Sequence, residues 1–173
     1  MAMFDVNAFL QTVVTGANDT KFYNPPDGDW PAQVSKLEGK TIKYKTKEGV
    51  EVEQPVMTVV WELLSDECRR AVHAEKAFAR QTIFLDFLDN AALDMGEGKN
   101  KALGYVREAL GQNEKGKQWK PSDLIGGMAQ VTTKTEAAKD KETGHAKTNP
   151  DGSIMMNTNV VKVVVIGGAR RAA

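Results

Sequence analysis

Cysteine is nearly missing from this chain. Cys68 is the only one, which excludes an internal disulfide and any zinc site of the Cys-x-x-Cys type, and suits a reducing cytoplasm. Histidine is scarce too: His73 and His145 are the only imidazoles, and neither sits in a catalytic spacing. No apolar run approaches the ~20 residues that a membrane span needs, so no membrane partner is expected. The start, Met1-Ala2-Met3-Phe4-Asp5, has neither a basic beginning nor an apolar core, so no signal peptide is expected and the expected location is cytoplasmic. Net charge is also absent. The 23 basic and 23 acidic residues balance, so a polyanion must be held by local patches and not by overall charge.

Two further motifs fall short. Gly96-Glu97-Gly98-Lys99-Asn100 lacks the Gly-x-x-x-x-Gly-Lys-Ser/Thr spacing of a phosphate loop. Asp86, Asp89 and Asp94 read as a solvated acidic loop before they read as a metal site. No enzyme activity, metal or cofactor is therefore expected.

What is present is a chain of 173 residues, enough for one domain with a core, with 41% hydrophobic residues, too many for a disordered protein. The clearest helix runs from Asn100 to Leu110. Leu103, Val106 and Leu110 fall at i, i+3 and i+7, with Ala102 and Ala109 beside them. Asn100 is the expected N-cap and Gly111 the expected stop. Upstream, residues 5–14 predict a short helix whose apolar side (Phe9, Leu10, Val13, Val14) packs on the main domain or on a partner chain. Residues 15–29 read as a loop.

The first strand begins near Trp30-Pro31-Ala32-Gln33-Val34 and resumes at Thr41-Ile42-Lys43-Tyr44-Lys45. Lys47-Glu48-Gly49 turns it back as a protruding hairpin. Pro55 to Leu64 is the second strand. Met57, Val59, Trp61 and Leu63 form its core face, and Thr58, Val60 and Glu62 the other. Asp66 to Lys76 is a short polar helix or loop. In the third strand, Ala79 to Phe87, the interior set is Gln81, Ile83, Leu85 and Phe87, and the exterior set is Arg80, Thr82, Phe84 and Asp86. The fourth strand is Leu124 to Lys134, bent at Gly126-Gly127. Residues 135–153 are a polar excursion with lysines at 139, 141 and 147, turned by Asn149-Pro150-Asp151-Gly152. The fifth strand is Asn159 to Ile166, with Val161, Val163 and Val165 pointing one way. One helix between the third and fourth of five strands is the chain order of the Greek-key barrel called the OB-fold, an all-β class. The expected organisation is an N-terminal helix and loop (1–27), a barrel domain (28–166) and a flexible tail (167–173).

Single strands of nucleic acid require cations along the phosphates and aromatic faces under the bases. Lys43, Tyr44 and Lys45 on the first hairpin, Arg80, Thr82 and Phe84 on the third strand, and Lys134 beyond the fourth meet that description. Each also has a plain structural reading. The hairpin lysines and Tyr44 make a solvated turn; Phe84 is core if the register slips by one; Arg80 pairs with Glu62 across strands. Trp61 reads as core and Trp30 as a cap on the barrel, while Trp119 either caps or stacks. The lysines of 134–147 alternate with Glu136, Asp140 and Glu142 as a solvated loop would.

The segments Trp30-Pro31-Ala32-Gln33-Val34, Pro55 to Leu63, Asn100-Lys101-Ala102-Leu103 and Asp123 to Val131 resemble phage-encoded single-stranded DNA-binding proteins of the OB type. The resemblance covers roughly residues 28–166 and is one of pattern, not of a sharp motif. It implies a sequence-tolerant binder of single-stranded DNA in phage replication or recombination, in the host cell cytoplasm. Replication or recombination proteins and a second copy of the chain are its implied partners. The alternative is a virion or assembly protein that uses the barrel as a structural module. The chain departs from the resemblance at Gly127, where a basic residue is often found. It also departs at Ala169-Arg170-Arg171-Ala172-Ala173, where many such proteins carry an acidic tail.

Overall fold

The computed structural model describes residues 3–140 and 143–167. The element order is α1 (Val6–Leu10), β1 (Gly28–Lys45), β2 (Glu51–Leu63), α2 (Asp66–Val72), β3 (Ala77–Phe84), α3 (Lys101–Ala109), β4 (Met128–Ala137) and β5 (Met156–Val164). A 3-10 turn over Pro121–Leu124 precedes β4. The protein is mostly sheet. Its five strands close into a ring in the order β1-β2-β3-β5-β4. Neighbours pair antiparallel, except β3 and β5, which meet in parallel at a single pair, Arg80 with Asn159. That seam has the least backbone pairing in the ring, and α3 lies against both of its strands.

Alternation explains the core. Met57, Val59, Trp61 and Leu63 of β2 are buried as expected, with Ile83 of β3 and Ala129 and Val131 of β4. Leu103, Val106 and Ala109 bring α3 into the same cluster. Trp61 is fully buried, and its indole N–H donates to the Gln81 amide oxygen at 3.0 Å, so the ring is buried with its polar atom satisfied. Trp30 packs against the core, and its N–H donates to the Pro26 carbonyl and to the Thr133 hydroxyl, both at 3.1 Å. Cys68 is buried in the same core, and burial pushes its thiol up, which suits an inert filler.

Several expectations change. β1 is one continuous strand through Gly39, because it gains a partner along its whole length: β4 over its first residues and β2 over almost all. It carries a bulge at Ser35, which has no partner between Val34↔Trp61 and Lys36↔Val60. β5 carries another at Val161, between Thr132↔Lys162 and Thr133↔Val160. Val161 is therefore exposed, while Thr158 and Val160 are buried and Val163 packs on the core; Val165, past the end of β5, is exposed as well. Ala102 is exposed, and its place in the buried stripe of α3 is taken by Arg107.

Asn100 does not cap α3 through its side chain. Its side-chain oxygen accepts from the Asp86 N–H (2.8 Å), and its amide donates to the carbonyls of Asp86 (2.9 Å) and Asp94 (2.8 Å), tying down the acidic loop. Gly111 does end the helix. With φ +70° it turns the chain so that its N–H reaches the Glu108 carbonyl and the Gln112 N–H reaches that of Arg107. The N-terminal helix is five residues long, with all of them exposed, so its apolar side is not packed on the barrel. The β-branched Thr12, Val13 and Val14 that follow do not favour its extension. The expected tail lies outside the described residues from 168 onward, and so does Lys141.

Candidate nucleic-acid interface

Register decides which side chains share a surface, because directly paired residues of adjacent strands point the same way. On the outer face of β2, Val56, Thr58 and Val60 are buried. Each has a cross-strand partner on either side. Phe84 and Lys40 flank Val56, Thr82 and Glu38 flank Thr58, and Arg80 and Lys36 flank Val60. Arg80 continues the row across the seam to Asn159, and Asn159 pairs with Lys134 on β4.

β3 thus presents Phe78, Arg80, Thr82 and Phe84 outward, while Ala77, Ala79 and Ile83 are buried beneath. Phe84 is 57% exposed and Phe78 43% exposed. The two rings stand six residues apart along β3, roughly 20 Å at the usual strand rise. An apolar ring left open at each end of an Arg–Thr pair offers two stacking platforms with hydrogen-bond donors between them.

Glu38 sets the electrostatics. Its carboxylate meets the Lys36 ammonium at 2.8 Å and the Arg80 guanidinium at 3.2 Å. The Lys36 hydrogen bond, followed by Arg80, holds it below the usual carboxylate range. The partner of Arg80 is thus Glu38, two strands away, and not the Glu62 of its structural reading, which is met instead by Lys76 at 3.5 Å. Lys134 lies 3.7 Å from Glu136 on its own strand. Lys40 makes no ion pair among the described residues. The face therefore offers Lys36, Lys40, Lys76, Arg80 and Lys134 against Glu38, Glu62 and Glu136, a local cationic excess in a neutral chain.

Arg80, Thr82 and Phe84 share this surface, and Lys134 joins it at the edge. Tyr44, 44% exposed, is on the same face of the hairpin, four residues beyond Lys40 and so ~13 Å farther out. Lys43 and Lys45 are on the reverse face. No register shift separates them from Lys36, so they stand with Glu53 and Glu51 and away from Arg80. Lys43 binds Glu53 at 2.9 Å, and that hydrogen bond raises its pKa.

Phe78 was missed, because the third strand was expected to begin one residue later. Its signal was its parity with Phe84. Asn159 had no signal: its place between Arg80 and Lys134 exists only once the ring is closed. Gly127, the departure from the resemblance, has a steric cause. A Cβ there would lie 2.7 Å from Leu110 Cδ1 and 3.0 Å from the Leu124 carbonyl oxygen. No family model, curated protein or solved structure matches this chain.

Proposed function

We propose that the ring is a Greek-key barrel of the OB type that binds single-stranded DNA across the outer faces of β2 and β3. The ring order β1-β2-β3-β5-β4, with the helix α3 between β3 and β4, supports the fold reading. The observation that carries the function is the line Phe78-Arg80-Thr82-Phe84, with both rings open to solvent over a buried floor. Stacking and phosphate contacts do not read base edges, so binding is sequence-tolerant. The setting that fits the resemblance is phage replication or recombination in the host cytoplasm, by binding alone and without a cofactor.

The test is fluorescence anisotropy with a labelled single strand and the matching duplex. The single strand should bind more tightly. Affinity should weaken with salt along a shallow slope, because few cations release counterions. The double variant Phe78→Ala/Phe84→Ala should lose most of the affinity while staying folded. Equal affinity for duplex, or no binding at low salt, would refute the proposal.

A further inference from the structure

Behind β2 and β3, away from the face just described, an apolar cleft of about 330 Å3 opens between the core and two connections. Leu85, Leu93 and Leu103 form its walls, and Trp119 and Arg107 close one side. Its volume is at the lower end of the ~300–1,000 Å3 usual for small-ligand pockets.

Arg107 is the anomaly. It is 7% exposed, and no carboxylate pairs with it among the described residues. Its partners are neutral. Nε and Nη2 donate to the Gln112 carbonyl at 3.2 and 3.0 Å, and the guanidinium carbon stacks 4.1 Å from the centre of the Trp119 ring. Nη1 donates to no protein group among the described residues. A largely buried charge with only neutral partners is costly to keep, and an anion brought to the accessible Nη1 gains a charge-assisted hydrogen bond. Lys117 at the mouth is already met by Glu114 at 2.5 Å, so Arg107 is the charge left to be matched.

The remaining walls are aliphatic, aromatic, thioether or prolyl, and the Trp119 N–H is taken by the Gln112 amide oxygen at 2.9 Å. Such walls cannot satisfy the polar edge of a nucleobase, but they suit an apolar body. We infer that the cleft between α3 and the 112–121 connection is a binding site for a small apolar anion, its body among the leucines and its anionic head on Arg107. The site is separate from the outer face of β3: Leu85 lines the cleft, while its neighbour Phe84 points to the opposite side.

The probe is 8-anilinonaphthalene-1-sulfonate, an aryl anion that fluoresces in apolar surroundings, added to the full chain. Its fluorescence should rise saturably. Decanoate should displace it at least tenfold better than uncharged decanol. Arg107→Met should weaken the probe about tenfold or more. Because that change also removes bonds at the end of α3, Met95→Glu supplies an independent variant. Met95 is 69% exposed at the cleft, so a carboxylate there repels the probe without touching the core. Its weakening should match that of Arg107→Met. Equal displacement by decanol, a signal that survives Met95→Glu, or displacement by a single-stranded oligonucleotide would each overturn the inference. The first would show that charge plays no part, the second that the probe sits elsewhere, and the third that the cleft is part of the nucleic-acid surface.

Discussion

Trp61 and Phe84 are aromatic residues on adjacent strands of one ring, and they have opposite surroundings. Trp61 is fully buried and its N–H is satisfied by Gln81; Phe84 is 57% exposed on the outer face. A buried ring contributes to stability through the area it removes from water. An exposed ring contributes little to folding and keeps its face free for a ligand. On β3, therefore, the inner face carries the fold, and the outer face leaves its rings in contact with solvent.

The sharpest way to break this comparison is to remove each ring in turn. Trp61→Ala should cost ~3–5 kcal/mol of stability, read by urea denaturation, because it opens a cavity and leaves Gln81 without its donor. Phe84→Ala should leave the melting temperature nearly unchanged and weaken single-strand binding by ~1–3 kcal/mol, with Phe78→Ala behaving alike. If Phe84→Ala melts early and its affinity persists below the melting point, the outer face is structural and the contrast fails.

Glu38 sharpens the comparison further, since it is the carboxylate that occupies Lys36 and Arg80 on the outer face. Glu38→Gln should free Lys36 and Arg80 and steepen the salt dependence of binding by about one unit of slope. Its pKa is depressed, so the carboxylate is ionised above that value and protonated below it. Its ion pairs stabilise the fold above the ordinary carboxylate pKa, and that contribution is lost as pH falls through the depressed value. Over the same fall the cations are released, so oligonucleotide affinity should rise. This rise should be absent from the Glu38→Gln variant, and the difference between the two titrations isolates Glu38 from the other carboxylates.

The smallest effect belongs to the hairpin arm. Arg80→Ala should lower the salt slope by about one, whereas Lys43→Ala should leave it nearly unchanged. Lys43 is held by Glu53 on the reverse face of the arm. A slope that falls equally in both variants would place the arm's lysines on the phosphate path after all.

Much of the ring was legible beforehand. The alternation of Met57, Val59, Trp61 and Leu63 against Thr58 and Val60 identified the inner face of β2, and Arg80, Thr82 and Phe84 the outer face of β3. Both follow from the two-residue period of a strand with one face in the core. Leu103 and Val106 marked the buried side of α3 for the same reason at helical period. The partner of Arg80 was not legible, because Glu38 reaches it across an intervening strand. Arg107 was not either: an arginine on a helix reads as solvated until Trp119 folds over it.

By itself, then, the sequence determined composition, periodicity and the positions of turns. A single cysteine excludes an internal disulfide, balanced charge leaves any polyanion to local patches, and local alternation set the core of each regular strand. Only the closed ring decided where that alternation breaks. Ser35 is bulged in a strand that must serve two neighbours. Val34 exchanges hydrogen bonds with Gly126 and Gly127 on the β4 side, while Lys36 onward pairs with β2. The extra residue reverses the parity of everything downstream, turning Lys36, Lys40 and Tyr44 outward and Lys43 and Lys45 to the reverse face. A bulge has no periodic signature. It is the residue left over when two pairings, distant in sequence, are satisfied by the same strand.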